Sequence, residues 1–73
     1  MANESYETAY RAIRAFLRVN YGAYLTPAEM RTTFGDSEEF LGTLSDAFRS
    51  DHEASVLREA ADDLWNRATE SPA

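Results

Sequence analysis

Apolar residues recur every three or four positions along most of this chain, and no stretch alternates at a spacing of two. In the first segment Tyr6, Ala9, Tyr10, Ile13, Phe16 and Leu17 share one face of a helix, because a helical turn holds 3.6 residues. Asn3 or Ser5 is placed to cap that helix and Gly22 to end it, with Tyr21, Ala23 and Tyr24 filling the turn and Tyr24 closing the core. A short second pattern turns only Met30, Phe34 and Ala28 inward. The third presents Phe40, Leu41, Leu44, Ala47 and Phe48, with Gly42 outside the stripe. The fourth presents Ala54, Leu57, Ala61, Leu64, Trp65 and Ala68, where small residues between large ones let a neighbouring helix come close. The spacing predicts an all-α fold, a small compact bundle of three longer helices and one short connecting helix. These span about 4–20, 27–34, 37–49 and 51–68 of a single domain 1–73, with 69–73 as a frayed tail.

The breaks between these patterns carry their own signals. Thr26-Pro27-Ala28-Glu29 reads as a helix start: the Thr26 hydroxyl caps a first-turn amide, Pro27 presets φ, and Glu29 reaches back to the Thr26 amide. Leu25 and Met30 flank it at the spacing of a hydrophobic staple. Gly35 offers a left-handed stop, and Asp36 restarts the chain as a second cap. Ser50 and Glu53 form a further capping-box pattern, which predicts that the fourth helix begins at about Asp51.

Composition narrows the classes of function. With 73 residues, no cysteine and a single histidine, the chain offers no disulfide and no ordinary zinc-ligand set, so no metal or other cofactor is expected. The amino-terminal Met1-Ala2-Asn3-Glu4 lacks the basic and apolar regions of a secretory signal, and no apolar run approaches a membrane span. A soluble, cytoplasmic protein is the expectation. The net charge is −6 and is unevenly spread. Residues 1–35 carry four arginines against three acids, whereas residues 36–73 carry three arginines against ten. Such a balance argues against binding nucleic acid or anionic lipid.

Candidate chemistry is sparse. The second helix, the Gly35 turn and the third helix have the outline of a helix-turn-helix. The residues that would enter a DNA groove are Asp36, Ser37, Glu38 and Glu39, however, and phosphates would repel them. A structural corner is the better reading. His52 has no nucleophile or orienting partner at a useful spacing, and the carboxylates fail the calcium-loop pattern. Enzymatic activity is not expected.

Two surfaces remain. One is acidic: Glu38, Glu39 and Asp46 on the third helix, and Glu59, Asp62 and Asp63 on the outer face of the fourth. Rows of carboxylates on adjacent helices can imitate a nucleic-acid backbone. The leading expectation is therefore a non-catalytic interaction protein that docks on a larger, basic protein, such as an inhibitor of a nucleic-acid-binding surface. In composition the chain resembles phage-encoded inhibitors such as anti-CRISPR proteins, a likeness with no motif behind it. The other surface is an edge of Tyr10, Arg11, Arg14, Arg18 and Tyr21, with the three arginines opposite the apolar face. It suits a regulatory or structural subunit of an oligomer, since tyrosine and arginine are common at interface hot spots. Within the helices, Glu7 with Arg11 and Asp63 with Arg67 stand at ion-pair spacing.

Overall fold

A computed structural model describes residues 2–22, 25–49 and 51–70. Its helices are α1 (Ala2–Tyr21), α2 (Pro27–Phe34), α3 (Ser37–Ala47) and α4 (Ala54–Thr69). No strand occurs among the described residues, and the three longer helices with one short connector match the pattern read from the sequence. The last helix is the hub. α4 packs against each of the other three, whereas α1 shares no comparable face with α2 or α3. The Cα radius of gyration is 11.7 Å, close to the roughly 11 Å expected for a well-packed chain of this length.

The core follows from the stripes. Ala9 and Ile13 of α1, Met30 and Phe34 of α2, Phe40 and Leu44 of α3, and Leu57, Ala60, Ala61 and Leu64 of α4 are buried together. No polar or charged side chain is buried among the described residues, so packing alone holds this centre. Buried alanines at 9, 60 and 61 allow α1 and α4 to approach closely. Aromatic rings cover one end of the bundle. Phe34 meets Tyr21 at 5.2 Å and Phe40 at 4.9 Å between ring centroids, both edge-on, an arrangement favoured by the ring quadrupoles. Trp65 lies against Phe40 at 5.4 Å but is only half-buried.

The corner between α1 and α3 is built from local caps. Thr26 Oγ1 accepts from the Glu29 amide at 3.1 Å, and Glu29 Oε1 accepts from the Thr26 amide at 2.9 Å. This reciprocal pair satisfies two amides that an eight-residue helix could not satisfy internally. Leu25 packs against the core cluster to which buried Met30 belongs. Gly35 has φ 92° and ψ −74°, a positive φ as expected but outside the left-handed helical region, and Asp36 Oδ1 accepts from the Glu39 amide at 2.9 Å. Arg31 Nη2 donates to the Thr69 carbonyl at 2.6 Å, so α2 covers the exposed carbonyl end of α4. Its positive charge there opposes the negative end of the α4 dipole.

Several boundaries and faces differ from the sequence reading. α1 begins at Ala2, which puts Asn3 and Ser5 inside the helix instead of at its cap, and runs through Tyr21 to Gly22, whose φ is 103°. α3 ends at Ala47, with Phe48 at its C-cap, and the Asp51 amide donates to the Phe48 carbonyl at 3.0 Å. α4 therefore starts at Ala54, three residues later than expected, with Glu53 at its N-cap making no side-chain cap bond. Ala28, Ala47 and Ala54, assigned inward, are exposed, and each lies in a first or last helical turn at the margin of the packing. Ala60, omitted from the stripe, is fully buried. Thr69 belongs to α4 and not to a tail. The expectations for Ala23, Tyr24, Ser50 and residues 71–73 lie outside the described residues.

Candidate interaction surfaces

One member of the acidic surface is drawn away from it. Glu38, Glu39 and Asp46 are exposed on α3, and Glu59 is exposed on α4. Asp36, Glu38 and Glu39 occupy the α3 cap and first turn, where the positive end of the helix dipole stabilises carboxylates without any partner. Asp62 is half-buried. Asp63 is not on the outer face. It turns toward α1 and accepts a hydrogen bond from the Tyr6 hydroxyl. That bond holds the phenol in its neutral form, and burial and the Asp63 charge act in the same direction, so the Tyr6 pKa is pushed up to about 12.

With Asp63 committed to Tyr6, the Asp63–Arg67 ion pair expected from four-residue spacing does not form. Arg67 instead lies over the Tyr10 ring, 5.7 Å from its centroid. Among the described residues the one ion pair is Arg11 with Glu7 at 3.8 Å, between two well-exposed side chains. Such pairs contribute little.

Arg67 brings the second surface into focus. Arg14 and Arg18 of α1 and Arg67 of α4 rim a groove of about 410 Å³ with Tyr10. Its floor is apolar, made by Leu17, Met30, Leu64 and Ala68 where α1, α2 and α4 meet. Among the described residues no carboxylate lines it. A second depression, of about 350 Å³, shares Tyr10, Arg14 and Arg67 with the first and extends it past Tyr6 to Arg11. The structure thus corrects the placement of two α1 arginines. Arg14 and Arg18 border the apolar stripe, on the side of Tyr10 and Leu17, and do not stand opposite it.

Tyr21 does not line either depression: its ring packs edge-on against Phe16 at 6.0 Å and Phe34 at 5.2 Å, and it stays exposed beside them. Arg67 joins the rim unforeseen. A signal existed in the sequence: Leu64, Arg67 and Ala68 follow one another at helical spacing, so Arg67 had to border the buried stripe.

Other features stay apart. His52 is half-buried in the turn before α4, with its ring 5.7 Å from that of Phe48. No helix is long and apolar enough to cross a membrane among the described residues. No protein-family model, curated protein or solved structure matches this chain, which leaves the geometry of the surface as the basis for function.

Proposed function

We propose that the protein acts by binding and not by catalysis, as a small regulatory or structural subunit that docks on a larger cytoplasmic protein through the arginine-rimmed groove. The observation that supports this is the gathering of Arg14, Arg18 and Arg67 around an apolar floor that holds no carboxylate among the described residues, in a chain whose net charge is −6. Clustering like charges is unfavourable in isolation, and none of these three guanidiniums forms an ion pair among the described residues. Arg67 rests on the Tyr10 ring within the fold, and Arg14 and Arg18 are exposed for a partner outside it. Arginine and tyrosine around a desolvated centre are also the residue types that dominate interface energetics.

The second reading keeps the acidic surface as the contact, docking on a basic channel in the manner of an inhibitor. Exposed Glu38, Glu39, Asp46 and Glu59 favour it, while Asp62 and Asp63 supply less than their spacing suggested. Affinity capture from the native host separates the two. Reversing Arg14, Arg18 and Arg67 to glutamate abolishes capture of the partner in the first reading. Reversing Glu38, Glu39 and Glu59 to arginine abolishes it in the second. Circular dichroism on both variants checks that the helices persist, since these side chains are exposed.

A further inference from the structure

Resting on the groove as the working surface, we propose that its occupant is an acidic amphipathic helix of the partner protein, laid along α1. The first argument is charge. The groove and the adjoining depression present Arg11, Arg14, Arg18 and Arg67, and among the described residues the one carboxylate lining either is Glu7, already paired with Arg11. An occupant that matches this rim carries carboxylates. Guanidinium groups bind them in bidentate geometry.

The second argument is spacing. Arg11, Arg14 and Arg18 stand at i, i+3 and i+7 on one helix, so they mark out about 10 Å of axis at 1.5 Å per residue. A helix lying beside α1 presents its own residues at that same interval. Acids at i, i+3 and i+7 on its edge meet the arginines one by one. The half-buried Leu17, Leu25 and Ala68 on the apolar floor receive the aliphatic side chains of the adjoining edge, in the helix-in-groove mode of recognition. Tyr10, with Arg67 stacked on it, forms the wall between the two depressions.

The third argument separates this occupant from a nucleic acid, whose phosphates also suit arginine. A polyanion extends its charge well beyond four guanidiniums and meets the ten acids of residues 36–73. A protein helix confines its carboxylates to the positions that face the rim. It also brings aliphatic groups for the floor, which a sugar-phosphate backbone lacks.

Fluorescence anisotropy with three labelled model peptides tests the inference on the intact chain. Each is a helix-forming peptide with leucines at i, i+4 and i+7 and a flanking edge of glutamate, glutamine or lysine. The glutamate peptide is expected to bind at least about tenfold more tightly than the glutamine peptide, equivalent to about 1.4 kcal/mol. Arg14→Gln with Arg18→Gln is expected to remove most of that preference. Rising salt is expected to narrow it further. Equal binding of the glutamate and glutamine peptides, stronger binding of the lysine peptide, or displacement of the glutamate peptide by a single-stranded oligonucleotide overturns the inference. If no peptide binds and the arginine-reversed variant still loses its native partner, the helix is the wrong occupant while the groove keeps its role. If that variant retains its partner, the groove reading falls and takes this inference with it.

Discussion

The hydroxyl of Tyr6 donates to the carboxylate of Asp63, joining the first turns of α1 to the middle of α4 across 57 residues of sequence. A charge-assisted bond in a half-exposed setting is worth about 1 kcal/mol, below the range for fully buried ones. Tyr6→Phe is expected to lower stability by about that much in urea unfolding. Asp63→Asn in the Tyr6→Phe background is expected to add little, which a double-mutant cycle measures.

The same contact makes stability depend on alkaline pH. A tyrosine in the unfolded chain ionises near pH 10, whereas Tyr6 in the fold does so at about 12. Between these values the unfolded state has released a proton that the folded state retains, so stability falls as pH rises. The contribution is complete below pH 10 and lost on passing pH 12. Tyr6→Phe is expected to flatten this part of the pH–stability curve, and to remove the most alkaline step from the ultraviolet titration of tyrosinate.

At the corner, two substitutions probe two causes. Thr26→Ala removes the cap of α2 and is expected to cost about 1 kcal/mol. Gly35→Val is expected to cost more. The space is there, since a Cβ at Gly35 would meet nothing closer than Glu39 Cγ at 3.9 Å. The cost lies in the backbone, because a β-branched residue does not tolerate a positive φ. Thermal melts of both variants rank the two effects.

Core truncation is expected to scale with burial. Phe40 is fully buried between Phe34 and Trp65, and Phe40→Ala should cost about 3–5 kcal/mol. A domain of this size is stable by about 4–11 kcal/mol at the usual figure per residue, so that change approaches the whole margin. Trp65 is half-buried at the core's edge, and Trp65→Ala is expected to be the milder of the two in the same denaturant titration.

Arg31→Ala tests how α2 is fastened to α4. It uncovers the Thr69 carbonyl and removes a cation from the carbonyl end of the helix, an expected loss of about 1 kcal/mol at low ionic strength. Hydrogen exchange at the last turn of α4 should speed up more than exchange in α1.

How much was legible depends on how far apart the causes sit in sequence. Thr26, Glu29, Gly35 and Asp36 were readable because each acts within three or four residues of itself. The start of α4 at about Asp51 was also a local reading and misled, since the helix begins at Ala54 with Glu53 at its N-cap. The pairing of Tyr6 with Asp63 joins distant segments, so no spacing announces it. Once it forms, Arg67 is released from its helical neighbour to Tyr10, and the groove acquires its third arginine. The acidic surface was read from spacing alone, which takes no account of that tertiary hydrogen bond.

α4 is the helix on which the other three pack, and it follows them in the sequence. During synthesis α1, α2 and α3 leave the ribosome before the partner that buries Ile13, Met30 and Phe40 has been made. The eight-residue α2 and eleven-residue α3 are shorter than the helices that persist alone in water, so their apolar faces stay without a full partner until Leu57 to Leu64 of α4 have been made.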